Sequence, residues 1–367
     1  MYAYCLTFLI LNSTKLKKNL ILGISIGDIN GIGLEVILKT FSDKRMLDLC
    51  TPVIFGSTKL IQDYKKSMSL NSFISHSITN ISQLKNKKIN VFECWNENVN
   101  LAIGKNNSVG GKYAFKSLEK ASQHLLENNI DGLVTAPINK KNIQSKSFNF
   151  PGHTEYLASL KKENVLMIMA TQNLKIGVIT SHIPLENVAK NIDEQQILST
   201  INLFQKSLTK DFGVRRPKIA ILGLNPHAGD EGLLGTQEKE IIIPTLEKAK
   251  ENGVLVYGPY PADSFFGSDL FSKFDGVLAM YHDQGLIPFK TISFGQGVNY
   301  SAGLSFVRTS PDHGTAYDIA GKNMGNESSF RSAVYMACDI IRKRAEYQQI
   351  NANTLPISKK QKVNSRK

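Results

Sequence analysis

Short apolar runs alternate with amphipathic stretches along almost the whole chain. Runs rich in β-branched residues cover 20–25, 52–55, 90–92, 132–136, 165–170, 176–180, 218–222, 254–257 and 276–281. Each is bounded by Gly, Pro or polar turn residues, as strands buried on both faces of a parallel sheet are. Between them lie helical patterns. Residues 113–127 place Ala114, Leu118, Ala121 and Leu125 on one face, and 193–208 place Ile197, Ile201, Phe204 and Leu208 on one face behind Asp193 as a cap. Further helices are expected over 33–41, 237–250, 264–273 and 328–345, with Pro244 kinking or shortening the third-named pattern's predecessor at 237–250. The alternation predicts α/β layers around a mostly parallel sheet, without an internal repeat.

The ends differ from this pattern. The opening MYAYCLTFLILN is too short to span a bilayer and lacks the basic start and cleavage site of a secretory leader. Residues 1–18 therefore read as a disordered extension, and the polar stretch 349–367 as a disordered tail.

Composition narrows the function classes. The 367 residues leave room for two domains, and 42% hydrophobic content allows a sizeable core. The net charge of +13 raises the question of nucleic acid, but the lysines are scattered and cluster mainly in the tail (Lys359, Lys360, Lys362, Arg366, Lys367) and at Lys140 and Lys141. No basic stripe interleaved with aromatics is visible, so an anionic small molecule is the expected partner, with neither nucleic acid nor membrane. Cys5, Cys50, Cys94 and Cys338 have no paired spacing. They read as free thiols in a reducing, cytoplasmic compartment and not as a zinc site.

The chemistry concentrates after the strands. ITSH ends at His182, AILGLNPH at His227 and GVLAMYH at His282, so three of the seven histidines sit at or just past carboxyl ends of candidate strands. Ligands of open α/β sheets bind outside those ends. Each histidine alone is also compatible with a hydrogen-bonded structural role, and the spacing matches no local metal motif. Three neutral imidazoles on one ion would suit zinc, cobalt, nickel or iron better than magnesium.

The neighbouring loops are polar. GDINGIGLE, after the first strand, is either a loop that lets backbone approach a ligand or a plain strand–helix turn; it is not a GxGxxG fingerprint. PGHTEY pairs His153 with Thr154, donors for a phosphate or carboxylate. ADSFF carries Asp263. HDQGLIPFK sets Asp283 beside His282 and Lys290 further on, followed by Asn299 and Arg308, which together can neutralise a phosphorylated acid.

These blocks assemble into a recognisable set. GDINGIGLE, TAPINK, GHTEY, SHIPL, GLNPHAGDEGLLGTQE, GPYPAD, AMYHDQGL and NYSAGLSFVRTSPDHGTAYDIAGK resemble, in order from about residue 20 to 345, the 4-hydroxythreonine-4-phosphate dehydrogenase family. The resemblance implies an isocitrate/isopropylmalate dehydrogenase-like fold: two α/β/α domains, 19–148 plus 312–348 and 149–311, with a cleft between them. It implies NAD or NADP as cofactor on His313, Gly314, Asp318 and Gly321, within the loop from His313 to Lys322. It further implies a divalent metal (zinc, cobalt or magnesium) on His182, His227 and His282, in a homodimer whose shared site takes its third histidine from the second subunit. The substrate, a phosphorylated hydroxy amino acid, falls to His153, Thr154, Lys290, Asn299 and Arg308, with Lys290, Asp283 or Asp263 near the reacting centre.

Departures from the family pattern are Ile29, Asn30 and Leu34 in the first loop, where altered rigidity is expected, and Asn323 where the family has glycine. Three rival readings remain open: a dehydrogenase of a four-carbon sugar acid phosphate (threonate or erythronate 4-phosphate), a catalytically silent metal-binding dimer, and a basic nucleic-acid-binding module.

Overall fold

The computed structural model describes residues 19–68 and 73–352. All nine apolar runs carry strands: β1 (Leu20–Ser25), β2 (Cys50–Gly56), β4 (Ile89–Glu93), β5 (Gly132–Thr135), β6 (Leu166–Ala170), β7 (Lys175–Thr180), β8 (Lys218–Leu222), β9 (Leu255–Tyr260) and β10 (Gly276–Tyr281). Three more were not apparent in the apolar pattern: β3 (Ser75–Ile78), β11 (Val298–Ala302) and β12 (Val307–Pro311). Together they form one 12-stranded sheet in the order β3-β4-β2-β1-β5-β12-β11-β6-β7-β10-β8-β9. Pairing is parallel on both flanks. Only β11 against β12 and β6, and β6 against β7, run antiparallel.

The helices cover both faces: α1 (Gly33–Ser42), α2 (Thr58–Ser67), α3 (Ser108–Leu126), α4 (His153–Ser159), α5 (Glu194–Lys210), α6 (Ile243–Glu251), α7 (Ala262–Gly267), α8 (His282–Ser293) and α9 (Ser328–Asn351). The apolar stripe of α5 is buried, and Asp193 caps it by accepting from the Gln196 amide at 2.8 Å. Helix α3 begins earlier than its stripe because Asn107 caps it at the Gly110 amide. The 237–250 pattern resolves into a π-turn over Glu238–Ile242 followed by α6. Pro244 falls in the first turn of α6, where a missing N–H costs nothing. The expected 264–273 helix is split into α7 and a 3₁₀ turn over Leu270–Lys273. Helix α9 runs through Asn351, so 349–351 are helical; the extension 1–18 and residues 353–367 of the expected tail lie outside the described residues.

The core follows the sheet. Phe41 and Tyr64 pack on one flank, Phe204 and Phe330 near the centre, all essentially fully buried. Each such side chain contributes roughly 1.5–3 kcal/mol through area removed from water. Among the described residues no helix is long and apolar enough to cross a membrane.

Candidate active site

A cleft of about 250 Å³ opens at mid-sheet, where the two parallel flanks meet across β12 and β11. Strand alternation divides the residues of β11 and β12 between two faces. Tyr300 and Thr309 point into the helices, bonding Asp211 and the Ala333 carbonyl. Asn299, Arg308 and Ser310 line the cleft, and Ser301 bonds Arg308.

Arg308 is the centre of one half. It is 2% exposed. Its Nε and Nη2 donate to Thr135 Oγ1 at 3.1 and 2.6 Å, and its Nη1 donates to Ser301 Oγ at 3.0 Å and Thr154 Oγ1 at 3.3 Å. These partners are all hydroxyls. Burial lowers the guanidinium pKa to about 10, with the nearby Glu155 opposing the shift, so Arg308 stays cationic at neutral pH. A buried cation with no carboxylate in its hydrogen-bond shell is costly unless an anion completes it.

Three buried polar atoms beside it have no partner: His153 Nε2, Asn299 Oδ1 and His313 Nε2. All three residues line the cleft. Buried polar atoms are normally bonded, so this set marks the seat of a polar ligand. Desolvation pushes the His153 pKa well below its ordinary value, reinforced by Arg308 and Lys140. The ring is neutral there, one nitrogen donating and the other accepting. Lys290, exposed on α8, lines the same cleft.

The second half is built from histidines. His182 follows β7 and His282 starts α8 directly after β10; the two strands are parallel neighbours. Their ring centroids are 5.7 Å apart. His182 Nδ1 lies 3.5 Å from Glu155 Oε1, and His282 Nδ1 lies 2.7 Å from Asp283 Oδ1. Contact with His182 is the main reason the Glu155 carboxyl is held below its usual range.

His227 does not join them within one chain. It follows β8, the other parallel neighbour of β10, but stands exposed outside the cleft. The backbone from His227 to Glu231 turns left-handed, with φ of 54, 53, 84, 43 and 56°. Such a conformation costs non-glycine residues roughly 1–2 kcal/mol each. The buried Glu238 anchors the approach to it, accepting from the Leu224 and Asn225 amides at 2.7 Å each and from Asn225 Nδ2 at 2.8 Å. Among the described residues no group of three His, Cys, Asp or Glu side chains is close enough to hold a metal ion.

The cleft therefore gathers His153, Thr154, His182, His282, Lys290, Asn299, Arg308, His313 and Gly314. Asp283 touches it only through His282, and Asp263, exposed at the start of α7, does not line it. Asp318 and Gly321 are exposed on the turn after β12. Thr135, Glu155 and Ser301 were not singled out from the sequence. Signals existed for two of them: Thr135 closes β5 at its carboxyl end, and Glu155 adjoins the His153–Thr154 pair; Ser301 carried none.

The family model described as pyridoxal phosphate biosynthetic protein PdxA matches residues 48–337. A 4-hydroxythreonine-4-phosphate dehydrogenase of Bacteroides thetaiotaomicron is 47% identical over 336 residues, covering 91% of this chain and 92% of its own. A protein of Oceanobacillus iheyensis with the provisional name D-threonate 4-phosphate dehydrogenase is 35% identical, covering 89% of this chain and 99% of its own. The crystal structure of 4-hydroxythreonine-4-phosphate dehydrogenase from Klebsiella pneumoniae superposes with a TM-score of 0.76 at 32% identity, covering 90% of this chain and 100% of its own.

Proposed function

The chain belongs to the family of the pyridoxal phosphate biosynthetic protein PdxA, and from that premise we propose that it oxidises 4-phosphooxy-L-threonine at C3 with NAD or NADP and decarboxylates it to 3-amino-2-oxopropyl phosphate. The observation that carries this reading is the buried Arg308, hydrogen-bonded to the hydroxyls of Thr135, Thr154 and Ser301 and to no carboxylate, and flanked by unpartnered His153 and Asn299 atoms. A phosphorylated acid supplies the missing negative charge and the acceptors.

In this reading the chain's own groups act as follows. Arg308, Thr154 and neutral His153 hold an anionic group of the substrate, and Asn299 orients its polar end. Fixing the substrate at a point remote from C3 removes orientational freedom before reaction. A bound nicotinamide would accept hydride from C3, and the C3 hydroxyl proton would pass to a base. Lys290, which lines the cleft, is the residue we assign, a role that requires its free amine; Asp283 is engaged at His282 Nδ1. When the carboxylate then departs as CO2, Lys290 returns a proton to the carbon.

His182 and His282 fit a divalent metal, zinc, cobalt or magnesium. Carboxylates at both Nδ1 atoms leave both Nε2 atoms free to ligate and fix the orientation of each ring. When bound, the ion would supply Lewis acidity to the oxidation and the decarboxylation. His227 then serves a second copy of the chain in a homodimer with shared sites. Exposed apolar side chains support a partner on this surface: Ile183 and Leu185 follow His182, Leu233 and Leu234 follow His227, and Ile287 lies on α8 with His282. We read the chain as two lobes, 19–148 with 312–348 and 149–311, sharing one sheet. Free Cys50, Cys94 and Cys338 suit a cytoplasmic location.

The relative from Oceanobacillus iheyensis favours one second reading, oxidation of threonate 4-phosphate, which differs in carrying a hydroxyl for the amino group at C2. Both substrates should be assayed for reduced-nicotinamide formation, with and without chelator. Chelator-sensitive turnover of 4-phosphooxy-threonine alone is the expected result. Turnover of threonate 4-phosphate alone transfers the chain to the second reading, and no turnover of either with added zinc, cobalt or magnesium rejects both.

A further inference from the structure

The glycine-rich loop after β1 does not line the cleft, although its sequence suits a ligand-approach loop. Every residue from Gly27 to Glu35 is buried. Its contacts run to the segment after β12. The Ile32 amide donates to the Thr315 carbonyl at 2.9 Å. Tyr317 OH donates to Asp28 Oδ2 at 2.7 Å, and the Gly325 amide donates to Glu35 Oε1 at 2.6 Å. Lys39 Nζ closes the set, donating to Glu35 Oε1 at 2.8 Å and to the carbonyls of Asn323 and Gly325 at 3.0 and 2.8 Å. Gly31 is required for the approach: a Cβ there would lie 2.7 Å from the Thr315 carbonyl oxygen.

Two carboxyl side chains with no exposed surface, Asp28 and Glu35, thus each accept from this segment, and Asp28 also accepts from the Asn30 amide at 2.9 Å and Asn142 Nδ2 at 2.7 Å. That segment is strained. Ala316 and Asn323 are left-handed, with φ of 44 and 59°. Strained backbone persists where its surroundings over-determine it, and such sites cluster at ligand clamps. Asn323 is among the non-glycine residues most tolerant of this conformation, which accounts for asparagine at that position.

We propose that the loop after β1 is a brace that holds 315–325 in its dinucleotide-ready shape before the dinucleotide arrives, with Asp28, Glu35 and Lys39 as positioning residues. The inference rests on the reading of His313–Lys322 as the cofactor loop. Pre-ordering the loop removes part of the entropic cost of binding, so loosening it weakens dinucleotide affinity and leaves the phosphate half of the cleft untouched.

The test uses the full chain and direct titration with NADH and NADPH by fluorescence, beside substrate KM, kcat and Tm. Asp28→Asn and Tyr317→Phe should each raise the dinucleotide Kd by about tenfold, the loss of one hydrogen bond to a carboxylate, with substrate KM unchanged. Gly321→Val deforms the loop itself, since Gly321 has φ of 77° and a Cβ would lie 2.7 Å from Ile103 Cγ2. If Gly321→Val weakens the dinucleotide and the brace variants do not, the brace is wrong and the cofactor-loop reading stands. If none of the three alters Kd, the cofactor-loop reading fails and the brace with it. A parallel rise in substrate KM and fall in Tm reduces Asp28 and Tyr317 to general structural roles. Should Asp28→Asn not fold, Tyr317→Phe decides, because it leaves the buried carboxyl in place.

Discussion

The two halves of the cleft are built to different degrees of completion. Around Arg308, strands β5 and β11 and the first turn of α4 deliver every hydroxyl the guanidinium bonds, and no carboxylate joins that hydrogen-bond shell. Around His182 and His282, two imidazoles face one another with their Nδ1 atoms engaged, and the third histidine stands exposed on a left-handed turn. Under the proposed function, a ligand completes the first half, and a metal ion with a second copy of the chain completes the other. That proposal assigns substrate recognition to one subunit and ties catalysis to assembly.

The largest expected effect separates binding energy from fold stability in the first half. Arg308→Met should lower kcat/KM on the order of a thousandfold, as truncation of a buried charge pair does. The same variant, free of ligand, should melt at the same temperature as the parent or higher, because an unpaired buried cation has been removed. A clear fall in Tm would show that Arg308 serves the fold and not the anion.

A medium effect concerns pH. The folded His153 pKa lies below the unfolded value near 6.5, so below that pH the unfolded chain binds the extra proton and folding loses stability. Stability should fall by up to about 1.4 kcal/mol per pH unit from 6.5 down to the folded pKa, then level off for this group. His153→Gln should remove that slope in urea melts taken across the window. An unchanged slope would place the titration elsewhere.

The smallest effect is a control remote from both halves. Asp193→Ala removes the cap of α5 and should cost about 1 kcal/mol of stability with kcat and KM unchanged. Altered kinetics would mean the cleft is sensitive to any loss of stability, and the contrast between halves would lose its force.

Much of this was legible in the residue pattern. The buried flanking strands announced themselves through their apolar runs, whereas the edge strand β3, SHSI, is polar and only partly buried. β11 and β12 did not, since VNYSA and VRTSP give one face to the cleft and so carry Asn299, Ser301, Arg308 and Ser310 where apolar residues would have marked a strand. The chemistry concealed the structure that holds it. The histidines were visible because all three follow strand ends, and β7, β10 and β8 are adjacent in the sheet. That His182 meets His282 while His227 does not depends on the left-handed path of Pro226–Gly232, a backbone choice that no apolar periodicity encodes. The first glycine loop shows the converse. Glycines that permit a ligand's approach also permit another loop's, and only the Thr315 carbonyl against Gly31 distinguishes the two.

The contrast between a self-contained half and a shared half is tested most directly by mixing two inactive variants. His227→Ala and His282→Ala should each abolish turnover of 4-phosphooxy-threonine while keeping the parent Tm. After the two are unfolded together, refolded and supplied with metal, mixed dimers should carry one intact site each, restoring about a quarter of parental activity for random pairing of two subunits. A mixture that stays as inactive as either variant alone would contradict a site shared between two chains.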